Sequence, residues 1–162
     1  MNDYELLVAE VQKSVLIIEK DLFDKTGCYG LYRNGRIYIE RTLSMKRKKE
    51  VLAEEYGHYK TSFGKIITQT SLDSVKQEKT ARNYSYEILV TLDDLIECSE
   101  AGLSNHYECA DFLNVSCDTL KEVFLYYQQK YGYTYFYKGR IFEFGDLSVM
   151  ILNTGLLLEK YD

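Results

Sequence analysis

The apolar positions of the chain change period several times, and each change marks an element. Between residues 3 and 22, Leu7, Val11, Val15, Ile18 and Leu22 recur at steps of four, four, three and four, the spacing that lines one face of a helix. One amphipathic helix over residues 3–22 is expected, capped by Asn2 or Asp3, whose side-chain oxygens suit the orphan N–H groups of a first turn. Asp24-Lys25-Thr26-Gly27 ends that pattern. Tyr29 to Arg41 then alternates, with Asn34-Gly35 between two runs rich in Tyr, Ile and Leu. Both turn residues tolerate positive φ, so the stretch reads as a type I′ β-hairpin. Two strands alone are marginal, so the hairpin must pack on helices.

A second helix is expected after Ser44, a natural N-cap, with Leu52, Tyr56, Tyr59 and Phe63 along one face. Its first turns carry Lys46-Arg47-Lys48-Lys49, four cations at the positive end of the helix dipole. They read as a solvated face balanced by Glu50 and Glu54. Residues 61–75 are polar, carry Gly64 and read as a loop. A third helix runs from about Asp73 to Val90, with Ala81, Tyr84, Ser85, Ile88 and Leu89 packing inward; small Ala81 and Ser85 allow close approach to the helix before it. Leu92 to Tyr127 reads as short helices, with a helix-turn-helix-like bend at Leu113-Asn114-Val115-Ser116. Tyr133 to Phe144 alternates around Lys138-Gly139 and predicts a second hairpin, and Met150 to Leu158 adds a last strand or helix.

Composition narrows the functional classes. The 162 residues, 46% of them hydrophobic, suffice for one core with a small appendage. A net charge of −5 argues against nucleic acid as the main partner. Between Glu97 and Glu122 six acids face a single base, Lys121, so the helix-turn-helix-like stretch reads as a protein contact or packing element rather than a DNA reader. No apolar run of about 18 residues is present and the N-terminus is acidic, so neither a membrane span nor a signal peptide is expected and a cytoplasmic protein is. Cys28, Cys98, Cys109 and Cys117 form no Cys-x-x-Cys pair and read as reduced structural thiols.

Candidate chemistry concentrates in Val51-Leu52-Ala53-Glu54-Glu55-Tyr56-Gly57-His58-Tyr59. On a helix Glu54 and His58, four apart, share a side and Glu55 sits on their flank. This is the layout of His-Glu-x-x-His, in which two His hold a metal and the Glu is a general base, with Glu in place of the first His. A third donor is offered twenty positions after His58 by Glu78 on the next helix, with Glu87 as a fallback. The bland alternative is two helical i,i+4 pairs, Glu54 with His58 and Glu78 with Arg82, worth only about 0.3–0.5 kcal/mol each. His106, far from the motif, reads as a residue at a helix start.

Four segments in order carry a further signal: Gly30-Leu31-Tyr32-Arg33-Asn34-Gly35-Arg36-Ile37-Tyr38-Ile39; Leu52 to Ser62; Glu78-Lys79-Thr80-Ala81-Arg82-Asn83-Tyr84 onward to Leu89; and Tyr107-Glu108-Cys109-Ala110-Asp111-Phe112-Leu113 onward to Ser116. Together they resemble the ImmA/IrrE family of metallo-endopeptidases, particularly its phage and mobile-element members. Two positions depart from the pattern: Glu54 stands where many members have His, and Val90 where Pro is frequent. The resemblance implies a hairpin beside the metal helix, Glu54, His58 and Glu78 as metal ligands, and Glu55 as the catalytic base. Two carboxylates and one imidazole suit zinc, with preference moved somewhat toward harder ions such as manganese.

The expected fold is α+β and mainly helical: a zincin-like metallopeptidase domain over residues 1–92, then a small helix-turn-helix-like module with a C-terminal β-hairpin over 93–162. The expected function is metal-dependent cleavage of a regulatory protein, a helix-turn-helix repressor of a phage or mobile element. The alternative is a catalytically silent protein that binds metal or a repressor.

Overall fold

The Asn34-Gly35 turn adopts left-handed φ at both residues, 53° and 70°, and joins β2 (Gly30–Arg33) to β3 (Arg36–Glu40) as the sequence requires. In this computed structural model, which describes residues 1–62, 71–103 and 105–154, the hairpin gains a third strand. β1 (Leu16–Lys20) pairs with β3 in parallel, giving the order β1-β3-β2. The single helix expected over residues 3–22 is therefore two elements. α1 (Asp3–Val11) is closed at its N-terminus by an Asn2–Glu5 capping box, and the chain then turns into β1. The β-branched pair Ile17-Ile18 suits a strand, and pairing with β3 satisfies backbone groups that a longer helix would have bonded internally. The apolar spacing alone does not separate these outcomes.

α2 (Phe23–Thr26) is a single turn ended by Gly27 in the left-handed region. Glu40 anchors it by accepting the N–H groups of Leu22 and Phe23, both at 2.7 Å. These bonds, with one from Thr42 N–H, lower the Glu40 carboxyl to a pKa of about 2.

α3 (Met45–Thr61) starts at Ser44, whose side chain accepts the Arg47 N–H. Its basic run is not the solvated face that local charge suggested. Lys48 and Lys49 are only 6% and 7% exposed. Lys48 reaches Glu19 of β1 at 2.7 Å and Lys49 reaches Asp3 of α1 at 3.5 Å, while the Tyr4 hydroxyl donates to the same Glu19 carboxylate. Their carbon stems pack inward while the charges meet partners that no local reading can supply. Beneath them Tyr4, Val11, Val15, Ile37, Ile39, Val51 and Leu52 form the core between α1, α3 and the sheet.

α4 (Ser71–Leu89) begins two residues before the expected Asp73. The expected loop falls mostly on residues 63–70, which lie outside the described residues, as does Phe63. Against α3 the helix buries Ala81 and Ser85, as their small size requires. A Cβ built on Gly57 would sit 2.3 Å from the Ala81 carbonyl oxygen, so the contact needs a small residue on both helices. Tyr32, Tyr56, Tyr59 and Tyr84 stack or meet edge to face, which gives four of the chain's 16 tyrosines a packing role.

These elements make one compact unit, Met1–Leu89; Val90–Asp162 makes a second. In the second, α5 (Leu92–Glu100), α6 (His106–Leu113) and α7 (Cys117–Tyr131) precede the antiparallel sheet β4 (Thr134–Tyr137), β5 (Arg140–Gly145) and β6 (Ser148–Asn153). The bend between α6 and α7 uses Asn114 in the left-handed region, buried Val115, and Ser116 as the cap of α7. Lys138-Gly139 makes the expected hairpin turn, with φ 46° and 72°. Phe142 and Phe144 are buried beneath β5, and the Tyr127 hydroxyl donates to the Val90 carbonyl at 2.7 Å. The last expected segment is a strand to Asn153; residues 155–162 lie outside the described residues. All four cysteines are free. No helix among the described residues is long and apolar enough to cross a membrane.

Candidate metal centre

The antiparallel approach of α3 and α4 follows from the contact register: His58 meets Glu78, Gly57 meets Ala81, and Glu54 meets Arg82. Seventeen uninterrupted helical residues put Glu54 and His58 on one side of α3, and the small-residue contact then carries Glu78 to them. One donor atom from each of Glu54, His58 and Glu78 lies within 4.8 Å of the others. His58 Nε2 is 3.6 Å from Glu78 Oε2, close to the roughly 3.3 Å that separates two donors around a tetrahedral zinc ion. The fallback Glu87 lies about two and a half turns farther along α4 and is outside this group. His106 belongs to the second unit and is also outside it.

The bland pairing is not what forms. Glu78 faces His58 rather than Arg82, and Arg82 turns its Nε to Glu54 Oε1 at 3.5 Å. Glu54, Glu55 and Glu78 line one cleft together with His58. The carboxylates of Glu54 and Glu78 near the one guanidinium of Arg82 leave an excess of negative charge, and with His58 they make a donor set that a divalent cation fits.

Glu55 occupies a different environment from its neighbours. Burial, then the Glu54 charge, raise its carboxyl to a pKa of about 7 against the lowering effect of a hydrogen bond from the Tyr32 N–H, and Glu78 adds a further upward push. Close passage of β2 makes this possible. A Cβ on Gly30 would stand 2.4 Å from Val51 Cγ1 and 2.8 Å from Glu55 Oε1, so only glycine lets the strand lie over this part of α3. The resulting cleft is about 330 Å³, with Gly30, Leu31 and Tyr32 on one wall and the acids and His58 on the other. Cys28 also lines it. The family resemblance places the hairpin beside the helix, but the sequence pairs Arg82 with Glu78 and does not mark Gly30, the Tyr32 N–H, Cys28 or Gly57 as parts of the site. The only local signal was a glycine inside a strand and another inside a helix, both of which mark close backbone approach.

Searches of curated proteins and of solved structures give no significant match. A protein-family model, Peptidase_M78, described as an IrrE N-terminal-like domain, matches residues 11–124. The match spans β1, the hairpin, both helices that carry the acid and histidine cluster, and the helices up to α7. The chain belongs to the IrrE N-terminal-like family, whose activity is of the metallopeptidase kind.

Proposed function

We propose that the chain is a metal-dependent endopeptidase in which Glu54, His58 and Glu78 hold the ion and Glu55 is the general base. The observation that carries this reading is the convergence of those three donors from two helices, with a third carboxyl, the half-buried Glu55, beside them. A bound zinc or manganese ion would supply Lewis-acid polarisation of the scissile carbonyl and acidify the attacking water. Glu55 takes the proton from that water and delivers it to the leaving amine. The Tyr32 N–H fixes the direction of its carboxylate. β2 is an edge strand, and the edge groups that Glu55 does not engage hold an extended peptide through main-chain bonds.

The substrate of this reading is a regulatory protein, a helix-turn-helix repressor of a phage or mobile element, and the site of action is the cytoplasm. Support comes from the resemblance of the four sequence segments to phage members of the family. The test is to expose a host protein mixture to the metal-loaded chain and label new N-termini. New termini that vanish with Glu55→Gln, while metal content and circular dichroism persist, support the mechanism. A fully active Glu55→Gln protein refutes it.

A second reading has its own observation. Arg82 stands 3.5 Å from Glu54 and supplies internally part of the positive charge that an ion would bring. In this reading the protein is catalytically silent and binds a repressor by contact alone, so partner binding survives alanine at Glu55 and at all three candidate ligands.

A further inference from the structure

The hairpin sheet has a second face, away from α3, with a chemistry of its own. Side chains alternate along a strand, so Ile37 and Ile39 turn to the core and are fully buried, while Leu31, Arg33 and Tyr38 turn outward. Leu31 lies opposite Tyr38 across the β2–β3 pair. α2 stands at the edge of this face, held by the two bonds from Leu22 and Phe23 to Glu40. Between them is a cleft of about 280 Å³ lined by Lys20, Lys25, Arg33 and, as its apolar floor, Leu31 and Tyr38. Lys20 stacks on the Tyr38 ring at 4.9 Å.

The charge of this cleft runs against that of the chain. Net charge is −5 overall, yet three cations surround the cleft and its one acid, Asp21, is engaged by Arg41 at 2.6 Å. Among the described residues none of Lys20, Lys25 and Arg33 forms an ion pair. Leu31 lines this cleft and also the one that holds the acid and histidine cluster. Along this stretch Lys25 and Thr26 line the basic cleft, Cys28 and Gly30 the acidic one, and Leu31 both.

The geometry points to a specificity site for acidic side chains of a protein substrate, with Lys25 and Arg33 pairing the carboxylates and Leu31 and Tyr38 receiving their carbon stems. It rests on the endopeptidase reading for its register. A peptide laid along the free edge of β2 sends alternate side chains to opposite faces of the sheet. Those on the α3 side reach the metal cluster, and those between them reach the basic cleft. The favoured substrate segment is extended, with Asp or Glu at every second position on one side of the scissile bond.

Peptide binding to the full-length chain tests this without catalysis. A fluorescein-labelled peptide alternating Glu and Ala is compared with its Gln–Ala counterpart by anisotropy at low ionic strength. The Glu peptide is expected to bind about tenfold tighter, the sum of two exposed ion pairs, and raised salt narrows the gap. Lys25→Glu with Arg33→Glu brings the two peptides to within about twofold. Lys13→Glu with Lys130→Glu, which changes net charge equally, leaves the preference standing. Glu55→Gln and chelator-treated protein also keep it, so a failed protease reading leaves this result intact. Equal affinity for both peptides, or a preference that persists in the Lys25→Glu/Arg33→Glu protein, overturns the proposal. Displacement of the peptide by inorganic phosphate at equal or lower concentration overturns it in favour of a small-anion site.

Discussion

Gly57→Ala sets helix propensity against packing at the contact that assembles the cluster. Within a helix Ala is favoured over Gly by about 1 kcal/mol, so on propensity alone the variant gains stability. The new methyl would lie 2.3 Å from the Ala81 carbonyl oxygen and 3.0 Å from its carbon. A relaxed carbon–oxygen contact is about 3.3 Å or longer, so α4 must retreat by roughly 1 Å. The obstructing atoms are backbone, which cannot rotate away, and overpacking of this kind costs about 1–3 kcal/mol. The net expectation is a protein less stable by about 1 kcal/mol, read as a lower urea midpoint at unchanged slope. Glu78, one turn before Ala81, moves with the helix. Metal bonds tolerate displacements of only about 0.2 Å, so zinc affinity, measured by competition with a chromophoric chelator, falls by about tenfold or more. A raised midpoint with unchanged zinc affinity refutes the close-contact argument.

Other positions give sharper single readouts. Ser44→Ala removes the acceptor for the Arg47 N–H and costs about 1 kcal/mol in urea unfolding. Leu52, fully buried in the core of the first unit, costs about 2–5 kcal/mol as Leu52→Ala. Glu40 has a folded pKa near 2 against an ordinary value of 4.5. Its contribution to stability is therefore complete above pH 4.5 and is lost as pH falls toward 2; Glu40→Gln should flatten that part of an acid-unfolding curve, and an unchanged curve contradicts the assignment.

Local chemistry made some of this legible in the sequence. The two hairpin turns declare themselves through Asn34-Gly35 and Lys138-Gly139, because positive φ restricts residue choice wherever it occurs. Ser44 as cap and the helical sharing of a face by Glu54 and His58 depend on neighbours within a turn, and so were also readable. The approach of Glu78 to His58 is legible as well, because a returning helix is the simplest route back to that residue. What stayed hidden depends on elements distant in sequence. Val15 and Ile18 continue the helical spacing of α1, so the spacing alone predicts one helix, and only the pairing of β1 with β3 decides for a strand. Lys48 and Lys49 turn inward because Glu19 and Asp3 lie opposite them. The Tyr32 bond to Glu55 exists because β2 passes over α3 at Gly30.

Elemental analysis of the purified chain for bound transition metal, with alanine variants at Glu54, His58 and Glu78 and the Glu55→Gln protein alongside, tests the central claim most directly. The expected result is about one ion per chain, lost in each alanine variant and kept in Glu55→Gln. A chain that takes up no ion when zinc or manganese is supplied, or whose ion survives all three alanine substitutions, contradicts the metal centre and leaves a family member that acts by binding alone.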